Sequence, residues 1–228
     1  PDIYKSAYIG RKFSKLGLNT AITEYNGIVI LLSQRDESVK KPKAKDFAKY
    51  GVLAKIKQVV PSDDDTLWVM FQAMDKLEIN DIEVNDMYFA RGVIIPSDID
   101  ISEQEEMAYK KNLIDKYGEF LANAGGVDFK AQMQEVLNGK DIDEVCYRIM
   151  ADIGVHSMES RIKLLEFDKS SDRANYVGGI LELDNDRQRT DREIEEVVKD
   201  RMDAAHHDFV LREKIKYLKE ELGEAEDI

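Results

Sequence analysis

Residues 187–223 read RQRTDREIEEVVKDRMDAAHHDFVLREKIKYLKEELG, with no glycine or proline before Gly223. Ile194, Val198, Met202, Ala205 and Phe209 recur at helical spacing, and Leu211, Ile215, Leu218 and Leu222 form a second run at 4-3-4 spacing. The step from Phe209 to Leu211 breaks the phase, so the apolar stripe jumps around the helix. Thr190-x-x-Glu193 can cap a helix start here. At ~1.5 Å per residue, ~36 residues make a rod of ~54 Å, longer than a small domain is wide. A helix of that length has to leave its own bundle and pack on something outside it.

Upstream of the rod the pattern is a compact helical bundle. Ser102-x-x-Glu105 is a capping box, and its helix runs to about Asn123, where Gly125-Gly126 stop it. Shorter helices are predicted from Val127 to Asn138 before Gly139 and from Asp141 to Ile153 before Gly154. The Asp141 side chain can accept the free N–H groups of its first turn, and each glycine permits a left-handed C′ residue. Two further helices are predicted from Ser157 to Glu166 and from Ser170 to Leu183.

The first hundred residues read mostly as strands around one helix. Arg11 to Tyr25 places Phe13, Leu16, Ala21, Ile22 and Tyr25 at roughly helical spacing, and Asn26-Gly27 ends the helix. Ile28 to Leu32 is a short, wholly apolar strand, which is expected to be covered on both faces. A polar, Lys-rich loop from Arg35 to about Lys49 follows, and its Lys40, Lys41, Lys43 and Lys45 read as solvated charge. Val52, Ala54, Ile56 and Val60 alternate with Lys55 and Lys57 as one arm of a hairpin, with Pro61-Ser62-Asp63-Asp64-Asp65 as its turn. Leu67 to Met74 is the returning arm, and Met87 to Ile95 is one more strand, ended by Pro96. Strands joined by short turns around one helix suggest a small, partly closed barrel.

Composition narrows the function classes. The 43% hydrophobic content supports a real core, and the net charge of -13 argues against a dedicated nucleic-acid binder. Cys146 is the only cysteine, so no intrachain disulfide can form, which fits a reducing cytoplasm. No apolar run approaches the ~20 residues that span a bilayer. The chain opens on Pro1, which fits a fragment whose start is missing.

Leu211-Arg212-Glu213 with Glu221-Leu222-Gly223-Glu224 resembles the L-R-E-Q-L-x-x-I-x-x-E-L-G-E signature that closes the amino-terminal region of bacterial-type Lon ATP-dependent proteases. Lys214 stands for its glutamine, Ile215 for its first spaced aliphatic and Leu218 for its isoleucine. His206-His207-Asp208-Phe209-Val210 replaces the preceding Q-R-E-Y-Y. The front agrees in order. Ile9-Gly10-Arg11 with Ser14 resembles V-G-R-x-x-S, Gln34-Arg35-Asp36 resembles Q-K-D, and Gly51-Val52-Leu53-Ala54-Lys55-Ile56 resembles G-T-V-A-K-I. Gln72-Ala73-Met74-Asp75-Lys76 departs from E-G-x-x-R, the pattern of a turn in the family.

The resemblance implies an α+β fold: a PUA-like pseudo-β-barrel (residues 1–97), a helical bundle (98–185) and a long helix leading toward an AAA+ module (186–228). Its spacing also implies that a strand preceding Pro1 has been lost. It implies a region that recognises unfolded or degron-bearing substrates and contributes to a homo-oligomer, a hexamer in the full-length family. ATP, magnesium and a Ser-Lys dyad would belong to later domains. The alternative is a free-standing PUA-like or helical adaptor never linked to an ATPase.

No catalytic constellation is written in these residues. Gly139-Lys140-Asp141 lacks the upstream glycine and hydroxyl of a P-loop, and no G-x-S-x-G elbow occurs. His206 and His207 are adjacent, so on a helix they point ~100° apart and cannot share a metal unaided. Asp184-Asn185-Asp186 begins like a calcium loop with Glu195 at its twelfth position, but Arg189 stands where the sharp turn needs glycine. Catalytic, cofactor-binding and metal residues are therefore none. The candidate protein-binding residues are Phe13, Met87 and Phe89 near the barrel and Met202 and Phe209 on the rod, because methionine and aromatic side chains adapt to varied apolar partners. Arg11 and Lys12 complete the set as cations that could steer acidic segments.

Overall fold

The computed structural model describes residues 4–36, 38–62, 65–124, 129–153 and 158–221. Its first part runs β1 (Tyr4–Ile9), α1 (Lys12–Glu24), β2 (Ile28–Leu31), β3 (Tyr50–Pro61), β4 (Leu67–Val84) and β5 (Tyr88–Ile94). All pairings are antiparallel, in the order β1-β4-β3-β2 with β5 also on β4. The long β4 organises the sheet. Its first residues pair with β1, from Leu67 opposite Ile9 to Gln72 opposite Tyr4. Its last residues pair with β5, from Leu77 opposite Ile94 to Val84 opposite Tyr88. Both partners use one edge of β4, while β3 takes the other.

Register shifts at Leu53/Ala54, Ile56/Gln58 and Ile79/Asp81 bend the long strands, as bulges do. At the last of these β5 presses close. A Cβ on Gly92 would lie 2.5 Å from the Glu78 carbonyl oxygen, so only glycine fits. Leu18 of α1 packs into the bent sheet with Ala54, Val69 and Phe71 to form a small core. Asn26 (φ 52°) and Gly27 (φ 73°) turn the chain from α1 into β2, and the Gly27 N–H closes on Ala21 O at 2.7 Å.

The second part is helical: α2 (Glu103–Ala124), α3 (Phe129–Leu137), α4 (Ile142–Asp152), α5 (Met158–Glu166) and α6 (Ser170–Glu221). Two of the expected caps are present. The Ser102 N–H donates to Glu105 Oε2 at 2.8 Å while the Glu105 N–H reaches Ser102 Oγ at 3.4 Å. Asp141 Oδ1 accepts from the Glu144 N–H at 2.8 Å. The larger core lies here, with Tyr117, Val145, Ile149, Val177 and Leu181 all sealed from solvent. An antiparallel sheet followed by helices makes the chain α+β.

The structure corrects the sequence reading at several places. Ser170 to Glu221 is one helix of 52 residues, about 78 Å long, where the spacing predicts two. Thr190 caps nothing; its hydroxyl donates back to Asp186 O at 3.0 Å inside the helix. Tyr4–Ile9 forms a strand that periodicity does not single out. The segment Gln72 to Lys76 is no turn, because β4 runs straight through it to Val84. On α1 the buried face is Leu18 and Ala21, while Leu16, Ile22 and Tyr25 are exposed. The predicted stops at Gly125-Gly126 and Gly154, the turn residues Asp63-Asp64, and the Leu222-Gly223-Glu224 end of the signature lie outside the described residues.

Candidate functional site

An all-apolar strand is expected to be covered on both faces, and β2 is not. Each of Ile28, Val29, Ile30 and Leu31 is only half-buried. The reason is topological: β2 pairs with β3 alone and β5 pairs with β4 alone, so the bent sheet stays open between them. Helix α1 lies along that seam and fills it incompletely, leaving an apolar groove of about 450 Å³. Its walls come from α1 (Phe13, Leu18), β2 (Ile28, Ile30), Met87 just before β5 and Phe89 within it.

The register also fixes the backbone of the groove. The Ile56 N–H donates to Gly27 O at 2.8 Å, so alternate residues Val29 and Leu31 face β3 while Ile28 and Ile30 turn their polar groups outward. The Asn85 N–H donates to Met87 O at 3.0 Å, so Tyr88 and Ala90 likewise face away from β4. Among the described residues the seam is thus bordered by two strand edges without a ladder partner on that side, although the Ile28 N–H is taken by Tyr25 O at 2.9 Å.

One end of the groove is closed by an aromatic cluster. The Tyr88 ring packs edge-on against Phe13 (centroids 4.8 Å apart) and Phe47 (5.2 Å), and its hydroxyl donates to Pro42 O at 2.8 Å. That bond pins the Lys-rich loop against the rim. Arg11 precedes α1 there; its guanidinium donates to Gln34 Oε1 at 2.7 Å and sits 5.8 Å from the Phe13 ring centroid. Arg11 therefore braces the loop, while Lys12 is exposed.

Of the candidate binding residues, the structure brings Phe13, Met87 and Phe89 together in this groove, with Arg11 beside it. Met202 and Phe209 stand apart on α6, where both are exposed (68% and 61%) among Ile194, Val198, Ile215 and Leu218. Sequence reasoning missed Tyr88 and Ile30, and the signal for the latter was the expectation of a covered β2 itself.

Chemistry elsewhere is sparse. Cys146 is buried, and burial pushes its thiol up to about 12, which keeps it protonated and inert at neutral pH. Among the described residues no three His, Cys, Asp or Glu side chains gather as metal ligands do, and no helix is long and apolar enough to cross a membrane. Gly139 is packed against α4, since a Cβ there would meet Val145 Cγ2 at 2.7 Å.

Comparison with known proteins gives this architecture a context. Residues 1–183 match the family model of the ATP-dependent protease La (LON) substrate-binding domain. The chain is 28% identical over 225 residues to a Lon protease of Clostridioides difficile (strain 630), covering 96% of this chain and 28% of that protein. It is 27% identical over 228 residues to a Lon protease of Fusobacterium nucleatum subsp. nucleatum, covering 98% of this chain and 29% of the relative. It therefore spans less than a third of the length of these relatives. A solved N-terminal domain of Mycobacterium avium complex Lon protease superposes with a TM-score of 0.62 over 80% of this chain and 91% of its own, at 10% identity, which supports the fold. The open sheet, the helices that follow it and the match over residues 1–183 agree, and the chain belongs to the Lon substrate-binding domain family.

Proposed function

We propose that this chain is the substrate-holding region of a Lon-type ATP-dependent protease, and that it takes apolar segments of unfolded or degron-bearing proteins into the groove between α1, β2 and β5. The observation that carries the reading is the seam itself. An apolar groove flanked by outward-facing strand edges offers side-chain pockets and backbone hydrogen bonds to extended apolar segments of many different sequences, which suits an enzyme with many substrates.

The peptide-bond chemistry belongs, on this reading, to the parts of the longer relatives that the chain does not span. There a Ser-Lys dyad would cut, and ATP with magnesium would drive unfolding. That placement is supported by the Gly139-Lys140 step of this chain, where the glycine is packed against Val145 of α4. The exposed stripe of α6 (Ile194, Val198, Met202, Phe209) is assigned to assembly of a homo-oligomer. The single buried thiol and the family support a cytoplasmic setting.

The test is fluorescence anisotropy with a labelled, permanently unfolded protein such as reduced and alkylated lactalbumin. Met87→Asp and Phe89→Asp should each weaken binding about tenfold, or about 1.4 kcal/mol, with thermal unfolding showing an intact fold. Unchanged affinity in folded variants would return both residues to a packing role.

A further inference from the structure

The charges of this chain are segregated. Residues 1–60 carry 12 Lys and Arg against five Asp and Glu, whereas residues 61–228 carry 21 against 41. A chain of net charge -13 thus has a basic front, and that front builds α1, β2 and the loop before β3. Four of those twelve lie in the loop that is tied to Tyr88 of the groove wall. Pro42, whose carbonyl accepts the Tyr88 hydroxyl, is flanked by Lys41 and Lys43, with Lys40 and Lys45 close in sequence. All four lysines are exposed, and none forms a salt bridge among the described residues. Among the described residues of the loop, both acids are already engaged. Asp36 Oδ1 accepts the Ser38 N–H at 2.9 Å, and Asp46 Oδ2 accepts the Lys43 N–H at 2.7 Å. Asp36 and Asp46 thus each support a local turn, and the four ammonium groups face solvent.

Resting on the protein-binding reading above, we propose that the groove selects apolar segments with an acidic flank: the apolar residues fill the seam, and the neighbouring Asp and Glu lie over Lys40, Lys41 and Lys43. Charge complementarity favours this occupant in two ways. The lysine rim attracts the flank, and the acidic remainder of the chain repels polyanions too large to stay on the rim alone. Exposed charges of this kind act within about 10 Å at 0.1 M salt, so the preference belongs to residues adjacent to the apolar segment.

The experiment uses the full 228-residue chain and three labelled peptides sharing one eight-residue Val/Leu/Phe core, flanked by four Glu, four Gln or four Lys. At ~50 mM salt the Glu-flanked peptide should bind at least about fivefold tighter than the Lys-flanked one, and the ratio should collapse by ~0.5 M salt. In a Lys40→Gln/Lys41→Gln/Lys43→Gln variant the three peptides should bind alike. Equal binding of all three by the unaltered chain overturns the proposal while leaving the groove as a protein site. Failure of every peptide to bind overturns the protein-binding reading with it. Tighter binding of a single-stranded oligonucleotide than of the Glu-flanked peptide, at the same salt, also overturns the proposal.

Discussion

Arg173 shows what a single residue does in this fold. It is fully buried on α6, with Nη1 on Asp143 of α4, Nη2 on the Phe167 carbonyl after α5, and its guanidinium 5.3 Å from the Tyr147 ring centroid. One side chain therefore joins three elements in a region where water cannot substitute. Arg173→Met should cost about 3–5 kcal/mol in urea unfolding, because Asp143 is left as a buried, unpaired charge. Adding Asp143→Leu should recover a large part of that loss, and a double variant no more stable than Arg173→Met would contradict the pairing. None of this is visible from spacing. An Arg three residues into a helix reads as surface, and only the packing of α4 and α5 onto α6 encloses it.

At the scale of elements, the sheet and the bundle meet through a compact latch. The Lys76 ammonium from β4 donates to the Phe167 carbonyl at 3.0 Å and to Asp168 Oδ1 at 2.9 Å. Beside it, the Asp98 N–H donates to Asp168 O and the Ser170 N–H donates to Asp98 O. The hydrogen bond and charge of Lys76 hold the Asp168 carboxyl below its usual range. A carboxylate with a depressed folded-state value stabilises the fold above the ordinary ~3.9, and that contribution is lost as pH falls through the depressed value. Wild-type chain should therefore exceed Lys76→Met in stability at pH 7, and the gap attributable to ionised Asp168 should shrink from pH ~4 downward; a pH-independent gap would show that the ammonium acts on the Phe167 carbonyl alone. The β3–β4 hairpin and the caps at Ser102 and Asp141 were legible because alternation and capping are local properties. The reach of β4 through Gln72 to Lys76 was not, since its pairing with β5 lies far along the chain. The sequence reading divided α6 at Asp184-Asn185-Asp186, which are poor helix formers, and Gly178-Gly179 weaken its first part further. Tertiary contact overrides them: Gly178 lies against Leu113, and Asn185 Nδ2 donates to Lys116 O at 3.0 Å.

For the whole molecule, the division is between a body and a rod. Contacts from α2 follow α6 as far as Arg189, which donates to Glu119, and Arg192, which donates to Asn123. From Glu193 to Glu221 the helix is exposed throughout, apart from a half-buried Val210. Removing residues 193–228 should leave the thermal midpoint within about 2 °C, whereas ending the chain before Leu181 should abolish cooperative unfolding. A large loss in the first truncation would mean that the rod supports the body. The groove was the least legible feature of all. Composition marks β2 as a buried strand, and only the failure of β2 and β5 to meet turns that apolar surface into an open groove. The rod itself acts as a lever. Its free section spans about 44 Å and contains no glycine or proline to absorb rotation. A tilt of about 5° at its root in the bundle moves the far end by about 4 Å. Whatever shifts α2 against α6 near Glu119 and Arg189 is thus reported, enlarged, to anything docked at the tip.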